Sequence, residues 1–257
     1  MRKYLFTLIM ISLFFTSCNQ APTGEYIEWM GNNETANELT FKGMYHYLNF
    51  EQEMAYTYFK ASLDYDPTLF APHVMLAWMT PSGEVDNDHV QKAKELVKGK
   101  NENSQLFVEM LEVPLGEGRQ AKLHEYWSKM HKIEPDGNFI HYYYALTKPT
   151  AEERISELEV IVNKLKSENK RHEYALNNLA YSYYLTGDKN KGKEYFDAYV
   201  EAYPNGYNSH DSMAEYYFME KDYKTSLEHY KRARELFPQS ISAYNKIKEI
   251  NTLLDNK

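Results

Sequence analysis

The sequence is poor in residues that staple, break or catalyse. A single cysteine, Cys18, serves 257 residues, so no internal disulfide can form. Glycine and proline number only 11 and 9, which favours helix over turn-rich β structure. Acids outnumber bases by 37 to 29, for a net charge of −8, and this excludes the basic footprint of a nucleic-acid-binding protein. H-E-x-x-H and G-x-S-x-G are absent, and the nine histidines are scattered. His124 and His131 fall near one helical face, but no carboxylate is spaced to complete a ligand set. No metal, cofactor or catalytic centre is expected, and the chain reads as a non-enzyme. What remains is 43% apolar and 26% charged, with 24 tyrosines. That composition excludes wholesale disorder and a polytopic membrane protein.

The first residues stand apart. Arg2 and Lys3 precede an apolar run from Tyr4 to Phe15, then small Thr16 and Ser17, then Cys18. This is the layout of a secretory signal, too short to span a bilayer comfortably. Its end, "FTSC", resembles the lipobox of bacterial lipoproteins. The resemblance implies a signal peptide over 1–17, acylation of Cys18 as the first mature residue, and an anchor and tether over 18–35. The expected location is exported and membrane-anchored, in the outer membrane, with the acyl group as the sole membrane contact.

The rest repeats itself. "LAYSYYLTGDKNKGKEYFDAYVEAYP" (Leu179 to Pro204) returns 34 residues later as "MAEYYFMEKDYKTSLEHYKRARELFP" (Met213 to Pro238). Small residues recur at position 8 (Ala180, Ala214) and position 20 (Gly192, Ser226), large ones at position 24, and proline at 32. Two antiparallel helices pack closely only where small side chains let the backbones approach, and proline ends the second helix. The spacing resembles the tetratricopeptide repeat, a helix–turn–helix unit. Repeats are expected to start near residues 36, 70, 104, 138, 173 and 207, with a capping helix over 241–254. The expectation is an all-α, right-handed solenoid of about six hairpins spanning 36–254. The middle repeats are degenerate: Pro114 should end a first helix early, and "TPSGEVD" should delay a second helix to near His89. Thr35 with Glu38 and Thr150 with Glu153 are spaced as capping boxes.

"GDKNKGKE" (Gly187 to Glu194) nearly fits a phosphate-binding loop. Glu194 stands where a hydroxyl is needed, a helix rather than a strand precedes it, and the repeat accounts for both glycines.

In the tetratricopeptide family the first helix of each unit lines a concave surface. Carried over, the resemblance implies a peptide-binding groove that includes Trp78, Tyr142, Tyr174, Asn177, Tyr181, Tyr184, Asp211 and Glu215. The basic clamp that some members use for peptide C-termini is missing. The chain is similar to small envelope lipoproteins of this family, which implies a scaffold for a protein or peptide partner in the bacterial cell envelope. A second resemblance, to starch-utilisation lipoproteins of the SusD type, implies glycan binding on aromatic platforms, although that family's large insertions are absent.

Overall fold

The computed structural model describes residues 26–79 and 86–255, and these form thirteen α-helices without a strand. Cys18 and the signal sequence lie outside the described residues, as does "TPSGEV" after Met79. The first hairpin pairs α1 (Glu34–Leu48) with α2 (Gln52–Tyr65), and the second pairs α3 (Phe70–Trp78) with α4 (Asn87–Leu96). The third joins α5 (Glu102–Glu109) to α6 (Arg119–Ile133), and the fourth joins α7 (Asn138–Leu146) to α8 (Ala151–Ser167). The regular fifth and sixth are α9 (Glu173–Leu185) with α10 (Lys189–Ala202) and α11 (Tyr207–Met219) with α12 (Tyr223–Leu236). A single helix, α13 (Ile241–Asp255), closes the array against α12.

The small-residue slots explain the hairpins. Ala77, Ala145, Ala180 and Ala214 are fully buried where first and second helices meet. At Gly192 an added Cβ would stand 3.0 Å from the Ala180 carbonyl oxygen and 3.0 Å from the Tyr184 nitrogen, so α9 and α10 touch backbone to backbone. One repeat later Ser226 fills that slot and its hydroxyl donates to the Ala214 carbonyl at 2.8 Å. The large position holds Phe59, Ala93, Trp127, Ile161, Phe196 and Tyr230 in the six hairpins, all buried.

Where the slot loses its small residue, polar pairs fill the wider gap. His89 faces His73 across α3 and α4, with their Nδ1 atoms 2.7 Å apart. Glu157 accepts from His141 Nε2 across α7 and α8 at 2.7 Å. The third hairpin is the least regular: Pro114 follows a short 3₁₀ turn, Met110–Glu112, which ends its first helix early.

Local signals set the helix ends. Thr150 and Glu153 form the capping box over α8, the Glu153 N–H donating to Thr150 Oγ1 at 3.2 Å and the Thr150 N–H to Glu153 Oε2 at 3.1 Å. Thr35 and Glu38 do not form the expected box. Asn33 caps α1 instead, accepting from the Ala36 N–H at 3.1 Å. Its amide also donates to the Tyr65 carbonyl at 3.1 Å, which fixes the start of α1 to the end of α2.

The stretch expected to serve as a tether is in part docked. Ile27 is buried. The Glu28 N–H donates to Ser104 Oγ, and its carboxylate accepts from the Asn101 N–H and the Lys100 ammonium, each at 2.9 Å. Trp29 sets its ring edge-on against Phe107 and Phe139. Residues 26–33 are therefore held by α5 and α7 rather than free to span from a membrane.

Candidate functional site

The inner face of the array divides into a covered part and an open part. The covered part contains three of the expected groove residues. Tyr142, Tyr174 and Asn177 are 1%, 5% and 3% exposed. Over this part lies the tip of the first hairpin, which reaches across to the fifth and sixth hairpins. Tyr45 stands edge-on to Tyr203, with ring centres 5.5 Å apart. Tyr203 donates to Glu51 at 2.8 Å and Tyr207 to Glu53 at 2.9 Å. Leu48 packs into the same apolar cluster as Tyr142 and Tyr174. Tyr142 and Tyr174 thus sit in a cluster that Leu48 of the first hairpin joins, and with Asn177 they are buried instead of facing solvent as expected.

Of four other expected residues, Tyr181 and Glu215 bond each other across neighbouring first helices, Tyr184 bonds Glu220, and Asp211 lies beside Glu215. The Tyr181 hydroxyl donates to Glu215 at 2.5 Å, and Tyr184 donates to Glu220 at 2.6 Å. Asp211 lies one turn from Glu215 on α11. Burial, with Glu215 and Glu53 nearby, pushes its carboxyl up to about 6. One Asp211 oxygen and the Asn177 side-chain oxygen are buried with no hydrogen-bond donor among the described residues.

Trp78 belongs to the open part. With Tyr47, Met110, Leu123, Trp127 and Tyr143 it lines a pocket of about 390 Å³ formed between the first four hairpins. Arg119 and Gln120, from the start of α6, supply its polar rim. Arg119 donates to the Val113 carbonyl and Gln120 to the Leu146 carbonyl at 3.3 Å, which hold both in place. The Trp78 indole N–H is buried without an acceptor among the described residues. A buried donor with no partner is uncommon. The pocket therefore combines apolar walls with the Arg119 guanidinium, suited to an apolar group that carries a hydrogen-bond acceptor.

The sequence singled out Trp78 as a groove position but gave no sign that Tyr47, Arg119, Gln120, Trp127 and Tyr143 line a pocket with it. These come from three further hairpins, and only the superhelical turn brings them together. Among the described residues no group of three or more His, Cys, Asp or Glu side chains is arranged to hold a metal, and no helix is long and apolar enough to cross a membrane.

Residues 174–206 match the tetratricopeptide repeat family. No curated protein matches the chain. Among solved structures, the array resembles the Cut9–Hcn1 hetero-tetramer of the APC/C, with a TM-score of 0.51 and 16% identity over 84% of this chain and 42% of that one. It also resembles yeast Tom70, with a TM-score of 0.52 and 13% identity over 88% of this chain and 50% of that one. The chain thus spans half or less of the length of these relatives, and the likeness is one of fold. With one unit matching the repeat directly and the array sharing its architecture, the described residues form an all-α, tetratricopeptide-like solenoid.

Proposed function

We propose that the chain is a non-catalytic adaptor of the bacterial cell envelope, acylated at Cys18, that binds a protein or peptide segment through the pocket at Trp78. The pocket carries this reading, because it is the part of the inner face that stays open while Tyr142, Tyr174 and Asn177 are buried. Aromatic walls supply contact area, and Arg119 would orient an acceptor such as a peptide carbonyl or carboxylate. A glycan is the less suited occupant. Sugars need a free ring face, and Trp127 lies stacked on Tyr143 with ring centres 5.0 Å apart. An anchored adaptor acts by raising local concentration, without chemistry of its own.

A photo-crosslinking residue at Gln120, on the pocket rim, should capture a discrete envelope protein in living cells. The same residue at Val160, exposed on α8, should not. Identical products from both positions, or none from either, would remove the pocket from the function. For the anchor, cells fed an alkyne fatty acid should label the wild type and not Cys18→Ser. Equal labelling would rule out acylation at Cys18.

A further inference from the structure

The contact that covers the inner face has a chemistry of its own. The tip of the first hairpin is Asn49-Phe50-Glu51-Gln52-Glu53, and the groups it contributes are acceptors. The Asn49 carbonyl and side-chain oxygens lie 3.4 and 3.3 Å from the Tyr199 hydroxyl, at the long end of hydrogen bonding. The Glu51 carboxylate takes the Tyr203 hydroxyl at 2.8 Å and faces the Asn208 N–H at 3.4 Å. Glu53 takes the Tyr207 hydroxyl at 2.9 Å. The opposing surface, at the end of α10 and the start of α11, is a row of donors. Burial and, for Tyr203 and Tyr207, the adjacent carboxylates push these phenols far above their ordinary range, so they remain O–H donors. Arg171, over the Tyr45 ring at 4.0 Å, adds a guanidinium beside the contact.

The energetics of this contact are closely balanced. Glu51 is 1% exposed, and His46 at 2.6 Å is its sole basic ion-pair partner among the described residues. Neither Glu51 nor Glu53 pairs there with a lysine or arginine. A carboxylate taken out of water without a full counter-charge pays a desolvation cost, which offsets part of what its hydrogen bonds contribute. Along the helix axes the first hairpin packs chiefly on its sequence neighbour, and it meets the far hairpins through its tip together with Tyr45 and Leu48 of α1.

We infer that Tyr199, Tyr203, Tyr207 and Asn208 form a docking face for a carboxylate-bearing segment of a partner protein, and that Asn49 to Glu53 is its internal occupant, displaced when the partner binds. The phenol hydroxyls recognise carboxylates in both cases. The docking face shares no side chain with the Trp78 pocket, although Tyr47 of the pocket wall stands two residues before Asn49 on the same hairpin.

The test uses the full chain and a fluorescein-labelled peptide of residues 45–55 as the acidic probe. Glu51→Gln with Glu53→Gln weakens the internal occupant and leaves the face intact. This variant should show faster amide exchange over residues 45–55 and bind the peptide at least about tenfold tighter than wild type, a difference of ~1.4 kcal/mol. Adding Tyr203→Phe with Tyr207→Phe, which keeps the rings and removes the donors, should abolish that binding. A peptide with both glutamates replaced by glutamine should bind neither protein. Unchanged exchange at the tip, or binding that survives loss of the hydroxyls, overturns the inference. Loss of the helical circular dichroism signal in the glutamine variant would mark the tip as fixed core and overturn it equally.

Discussion

In the fifth and sixth hairpins the residues that face each other across the helix pair are small, Ala180 with Gly192 and Ala214 with Ser226. In the third and fourth the equivalent positions hold Leu111 with Leu123 and Ala145 with Glu157. The first arrangement lets backbones touch and leaves little room between helices. The second holds the helices apart, so that polar pairs such as His141 with Glu157 enter the gap. The Trp78 pocket, whose walls come from α1, α3, α6 and α7, opens beside these looser hairpins. Regular repeats give a stiff, closely packed stack, and departures from the repeat provide space for a ligand. The same principle places the family match on 174–206, where the slots are filled by rule.

The sharpest way to break this comparison is to enlarge the tight slot. Gly192→Leu should destabilise the protein by about 3 kcal/mol through overpacking against Ala180 and Tyr184. Leu123→Met, in the same slot of the third hairpin, should cost less than about 1.5 kcal/mol. Thermal melts of the two variants compare them directly, and equal losses would mean that the hairpins do not differ in closeness.

Acid should reveal the looser hairpins next. Burial, with His89 and Lys92 nearby, holds His73 down at about 4. The unfolded chain therefore binds this proton first, and stability is lost as pH falls from about 6.5 to about 4, by up to about 3 kcal/mol. His73→Leu should flatten the dependence of melting temperature on pH across that window.

Glu134 works in the opposite direction. It is buried at the end of α6, and burial pushes its carboxyl up to about 7. The folded chain holds this proton longer than the unfolded one, so the group's contribution is lost as pH rises from about 4.5 to about 7. Glu134→Gln should be more stable than wild type at pH 8, by about 1–2 kcal/mol, and should lose the advantage at pH 4. An advantage that does not change with pH would point to packing instead of charge.

The smallest effect belongs to the regular end. Ser226→Ala removes the bond to the Ala214 carbonyl but keeps the slot small, so urea titration should give a loss of about 1 kcal/mol.

The hairpins were legible because their causes are local: small residues at two positions, a large one at a third, and a capping box at Thr150. The groove was less legible. Tyr142, Tyr174 and Asn177 occupy positions that face a ligand in an open superhelix, and here they are buried. Curvature accumulates from small rotations between neighbouring repeats, and no local pattern reports their sum. Arg119 and Trp127 were missed for the same reason, since their pocket exists only after four hairpins have turned together. Trp29 was hidden in a stretch read as tether. The run of aromatic residues on α7, Phe139 with Tyr142 to Tyr144, was the available signal that something should cover it.

The reach of Glu51 to Tyr203, across 152 residues of chain, has a consequence for how the molecule folds. In a linear solenoid each repeat senses only its neighbours, so the ends fray independently and unfolding spreads step by step. Bonds from the first hairpin to the fifth and sixth join the start of that sequence of steps to its far side. Loosening either end should raise exchange at the other, and the array should melt in fewer and steeper transitions than its repeats would give alone. The contact should give a one-dimensional architecture some of the cooperativity of a globular domain.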